Sequence, residues 1–171
     1  ILGIPLFTAI VTTGERWKPV ERALLISQFT GLLLLVIYFL VLPQNLFDAP
    51  DKHIIRLALF FVEAHLLVAV APFISKGSIN GFWQYNKSLF LRFLTAVLYA
   101  NVLFAGLAVA LLSIDALLGI EIEGVRYAQL WVLIVIIFNT WFFLAGVPEN
   151  INTLDHTTDY PGGLKLFTQY I

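Results

Sequence analysis

A chain of 171 residues carries a formal charge of −1, so no overall field draws it towards nucleic acid or acidic partners. Sixty per cent of its residues are hydrophobic and 12% are charged, the latter about half the usual share, which excludes an ordinary soluble class. It contains no cysteine, which excludes disulfides, iron–sulfur clusters and thiolate chemistry from this stretch.

The apolar residues gather in runs of the length that crosses a hydrocarbon core of roughly 30 Å. The opening run, residues 1–11 (ILGIPLFTAIV), is too short for that and lacks the basic flank and cleavage pattern of a signal peptide; a partial helix is expected there. A basic segment, residues 13–22, follows with Arg16, Lys18 and Arg22. The first complete span is predicted at residues 23–42, free of charge and stopped by Pro43. The second, residues 54–74, differs from the others because it contains Arg56, Glu63 and His65.

Residues 75–92 hold Lys76, Lys87 and Arg92 with no acid. Trp83 and Tyr85 suit the headgroup level and Lys87 and Arg92 can reach the same plane, so these four are read as interface anchors. Gly77 and Gly81 permit a turn into a short interfacial segment. Two further uncharged spans are predicted at residues 93–112 and 127–147, the last stopped by Pro148. The final residues 164–171 (LKLFTQYI) read as the start of another helix, so the chain is expected to be a fragment of a longer protein. The fold class is therefore all-α integral membrane: a helical bundle with four complete spans and a partial helix at each end. Lysine and arginine placement puts the segments 13–22 and 75–92 in the cytoplasm, and alternation puts the loop 148–163 on that side too, despite its acids.

An ionisable group near the bilayer centre costs roughly 2.5–3.5 kcal/mol, so Glu63 and His65 demand an explanation. They lie about 200° apart around one helix and cannot form a compact pair on it. Ser27, Gln28 and Thr30 of the first span, Asn101 of the third and Asn139 and Gln129 of the fourth could bond to them, as polar glue between helices. The sharper expectation is a proton- or ion-coupled route with Glu63 as the protonatable group and His65, Asn101 and Asn139 beside it. The loop PENINTLDHTTDY offers Asp155, His156 and Asp159, but its spacing matches no metal or acid–base motif, so no catalytic residue, metal or cofactor is assigned.

The strings LWVLIVIIFNTWFFLAGVPENINTLD, YPGGLKLFTQYI and FWQYNKSLFLRFLTAVLYANVLFAGLA resemble a bacterial membrane family catalogued as domain of unknown function 4153, over residues 54–171. The resemblance implies a bacterial inner-membrane protein with further helices beyond both ends, and it implies no activity. The expected partners are the lipid bilayer and other helices of the same chain. The leading functional expectation is a transporter or permease component; its rival is a structural or signalling anchor whose intramembrane polar residues only hold helices together.

Overall fold

The computed structural model describes residues 2–18, 20–43, 51–74 and 78–157, and among them every regular element is a helix. They are α1 (Gly3–Trp17), α2 (Glu21–Val41), α3 (Asp51–Val70) with a 3₁₀ turn at Ala71–Phe73, α4 (Ile79–Leu118), α5 (Gly124–Leu133), and α6 (Asn139–Leu144). A π-helical turn, Ile134–Phe138, joins α5 to α6, and a second 3₁₀ turn covers Ile151–His156. Four of these stretches are long and apolar enough to cross a membrane: α2, α3 with its 3₁₀ turn, α4, and α5 through α6. The protein is thus an all-α, multi-pass membrane protein. The predicted helix at 164–171 lies outside the described residues.

Two elements extend past their expected ends. α1 runs on through the basic stretch to Trp17, because nothing between Val11 and Trp17 breaks a helix. It ends where Lys18 turns left-handed (φ 45°) and donates its N–H to Gly14 O. α4 begins at Ile79 rather than near Phe93, so residues 79–92 are its first turns and not a separate interfacial segment. At 1.5 Å per residue its 40 residues reach about 60 Å, twice a hydrocarbon core.

The chain divides into two compact units, one formed by residues up to Tyr85 and from Glu149 on, the other by Asn86–Pro148. In the first, α1 packs against both α2 and α3. Gly31 of α2 sits against Ile10 and Gly14 of α1 against Leu24, so α1 and α2 run antiparallel at close range. α2 is hydrophobic all round and buries only Gly31, as expected of a helix that meets lipid or further helices on most of its surface.

The end of α3 shows how sequence sets local structure. Pro72 has no N–H, so the carbonyl four residues before it, on Val68, loses its helical donor. The hydroxyl of Tyr85, fully buried on α4, donates to that carbonyl at 3.1 Å. Trp17 Nε1 donates to the Pro72 carbonyl at 3.1 Å, tying the end of α1 to the same turn. Phe73 completes the packing against Phe82 and Tyr85, with ring centroids at 5.7 and 5.5 Å.

In the second unit the small residues Ala96 and Ala100 of α4 are buried, as is Ile134. Near the end of α6 the Gly146 N–H turns back to Phe143 O rather than to Phe142 O. Arg92 fills the vacancy: Nε and Nη2 donate to Phe142 O at 3.0 and 2.6 Å, and its guanidinium lies 4.1 Å over the Phe142 ring. A cation at a helix C-terminus also meets the negative end of the helix dipole.

Candidate functional site

Two places in the first unit gather polar chemistry, and they contrast. One lies where the end of α1, the start of α4 and the turn at Ile151–His156 meet. Arg16 is buried, its side chain 4% exposed, and its Nη2 is 3.2 Å from each carboxylate oxygen of Asp155. Arg16 Nη1 donates to Ile151 O at 3.4 Å, and the guanidinium lies 4.2 Å over the Phe73 ring. Ser78 Oγ donates to Asp155 Oδ1 at 2.6 Å and accepts the Gly81 N–H at 2.9 Å. A Cβ on Gly81 would collide with Asp155 Oδ1, so the glycine serves close approach here rather than a turn. Gly77 lies outside the described residues.

The neighbouring amides clamp the turn's backbone. Asn80 Nδ2 lies within reach of the carbonyls of Leu154, Asp155 and Thr157, Gln84 Nε2 donates to Thr157 O, and Asn152 Nδ2 donates to Arg16 O. Burial pushes the Asp155 carboxyl up, but the Ser78 bond and the Arg16 guanidinium outweigh it, with His156 adding to their pull. The result lies below the ordinary carboxylate value. Asp155 therefore stays ionised and fully engaged. His156 is exposed beside it, and Asp159 lies outside the described residues. An engaged carboxylate of this kind is a clamp and not a general base.

The second place is on α3. Phe60, Glu63 and Leu67 share one face of that helix, being three and four residues apart. The Phe60 ring meets Tyr38 of α2 edge-on at 5.1 Å. Leu67 lines a cleft of about 320 Å³ together with Ile10, Gly14 and Trp17 of α1 and Ala23 and Leu24 of α2. Glu63 itself is not among the residues that line the cleft. It is exposed and has no hydrogen-bond or ion-pair partner among the described residues.

The other intramembrane candidates bond within their own helices or belong to the second unit. His65 Nδ1 lies 2.7 Å from Phe61 O on its own helix, and its ring packs on Phe61 at 4.2 Å. Asn101 Nδ2 donates to Val97 O at 2.7 Å, also within its own helix, and belongs with Asn139 to the second unit. Asn139 follows the π-helical turn, where its N–H reaches Ile134 O five residues back, and its Oδ1 is buried without a partner among the described residues. Ser27 and Thr30 spend their hydroxyls on Leu24 O and Ile26 O. Of the interface anchors, Trp83 is exposed, Lys87 is half-buried, Tyr85 is enclosed against α3, and Arg92 is held by Phe142.

Sequence reading missed the Arg16–Asp155 pair, although its signal was present. An acidic loop that alternation places on the same side as a basic segment is a candidate counter-charge, and the two segments do meet.

Residues 1–169 match the model of a family described as Domain of unknown function (DUF4153). The chain belongs to this family. The match begins at the first residue and so adds residues 1–53 to the region of resemblance, and it ends within the last predicted helix. No curated protein and no solved structure matches the chain.

Proposed function

We propose that this family member is a non-enzymatic component of a membrane transport system, in which Glu63 binds a cation or carries a proton in the crevice between α2 and α3. The observation that supports it most is the position of that carboxylate. α2 and α3 each pack on α1 and touch each other at Tyr38 and Phe60, three residues before Glu63, which is exposed within the span. A carboxylate held mid-span at a cost of roughly 2.5–3.5 kcal/mol, with no cation among the described residues to offset it, suits a transient partner. The segments 13–22 and 75–92 face the cytoplasm in this reading, following the placement of basic residues. The membrane is a bacterial inner membrane.

The test places single cysteines at Phe60, Glu63 and Leu67 of the full-length protein in membranes, after blocking any cysteine elsewhere. Labelling by a membrane-impermeant thiol reagent at all three positions supports a water-reached crevice. No labelling from either side, in protein that still assembles, defeats the transport reading. It then leaves the second one, an anchor whose spans complete their packing with further helices. That second reading is favoured by one observation: His65 and Asn101 bond only within their own helices and most of the span surface is open.

A further inference from the structure

We infer that the fourth span is a two-register device. Its π-helical turn, Ile134–Phe138, holds one extra residue, and passing that residue back to the loop before α5 turns the α5 half about its own axis while the α6 half stays in place. The inference does not depend on Glu63, which lies in the other unit.

The turn supplies the step. Across it the Asn139 N–H reaches Ile134 O, five residues back instead of four. Restoring the four-residue bond moves the preceding half by one residue, about 1.5 Å along the helix axis and about 100° around it. Residues 119–123 have no regular structure and are mostly exposed, so they can take up the displaced residue.

The two halves are held unequally. On the α6 side, Phe142 O receives Nε and Nη2 of Arg92, and the Phe142 ring meets Tyr99 of α4 edge-on at 5.1 Å. α5 has no buried residue, and its ring contact with α4 is that of Trp131 with Phe104, at 5.0 Å. Its Arg126 bonds to Gln129 and pairs with Glu123, neighbours on the same stretch that travel with it.

Two polar atoms show that the register seen is an incomplete solution. Among the described residues the buried side-chain atoms without a hydrogen-bond partner are Tyr127 Oη and Asn139 Oδ1, one on each side of the turn. An unpaired polar group is costly inside an apolar span. Both atoms are closed off from the surface, so a helix from another chain cannot reach them as they stand. A partner becomes available only when the span rearranges. Turning α5 takes the Tyr127 hydroxyl out of its present enclosure and remakes the surroundings of Asn139, which adjoins the turn.

The test uses the full-length protein in detergent with 5-fluorotryptophan at its tryptophan positions, followed by fluorine NMR. Trp131 lies before the turn and Trp141 after it, and their signals are assigned with Trp131→Phe and Trp141→Phe. Two signals are expected from Trp131 and one from Trp141. Tyr127→Phe removes the unpaired hydroxyl and so favours the register seen; the second Trp131 signal should fall about fivefold or more relative to the first. Deletion of Ile136 removes the extra residue and should leave the second signal alone. A single Trp131 signal that neither change moves overturns the inference. Splitting of Trp141 together with Trp131 overturns it too, because the span then moves as a whole. An unchanged ratio in Tyr127→Phe, with a melting profile like that of the parent, removes the unpaired hydroxyl as a driving force and also overturns it.

Discussion

The membrane-end cluster around Asp155 and the middle of α3 at Glu63 each hold a carboxylate on the same unit of the protein, and they treat it in opposite ways. Asp155 receives Arg16 and Ser78 while three amide side chains fasten its loop, so its charge is consumed by the fold. Glu63 has no such partner among the described residues, although it sits where an unpaired charge is most costly. A carboxylate satisfied by its own chain fixes structure. One left open in an apolar wall is available to something that comes and goes.

The sharpest way to break this contrast is to remove the Arg16 charge. Arg16→Met should destabilise the full-length protein by about 1–3 kcal/mol, since the Asp155 charge left behind is partly exposed and keeps its Ser78 bond. Thermal unfolding in detergent micelles, followed by tryptophan fluorescence, measures it, since Trp17 lies next to the altered residue. The double change Arg16→Met with Asp155→Leu should recover much of the loss, because replacing both charges with apolar groups is often close to neutral. If the single change costs nothing, the cluster is a surface decoration and the contrast fails.

Acid provides a second, smaller break. The folded Asp155 carboxyl titrates below its ordinary value, so its contribution to stability is complete above the unfolded value near 4. It is lost as pH falls through the lowered folded value, when the protonated group no longer holds Arg16. Asp155→Asn should remove that part of the acid sensitivity and lower stability at neutral pH. The difference between parent and variant melting profiles, taken from pH 7 downwards, reads it directly. A parallel pH dependence in the two proteins would mean that Asp155 is not the responsible group.

How much of this was legible in the sequence follows from the range of each interaction. The four spans and their stops at Pro43 and Pro148 were visible because length and hydropathy are local properties. The run of α4 back to Ile79 was not, since Trp83, Tyr85 and Lys87 suit an interface equally well as loop or helix. Tyr85 shows the limit most clearly: its burial depends on a carbonyl on Val68 left free by Pro72, a partner 17 positions away that no window of sequence connects to it. Arg16 and Asp155 are separated by 139 positions, and only topology brings them together. Glu63 was conspicuous in sequence because its residue type contradicts its surroundings, which requires no knowledge of contacts.

The smallest expected effect is the one that tests the other side of the comparison. Glu63→Gln should not lower the stability of the assembled protein by more than about 0.5 kcal/mol, the usual range for substitutions that touch no partner. The amide keeps the size of the side chain and removes only its charge, so a loss much larger than this would reveal a cation bound to Glu63 within the assembled protein. That cation could come only from residues outside those described or from another chain, and Glu63 would then resemble Asp155 in being consumed by the fold. Undiminished stability, combined with labelling of a cysteine at position 63 by the membrane-impermeant reagent, separates the two carboxylates by role, because removal of the charge then costs folding at Asp155 and not at Glu63.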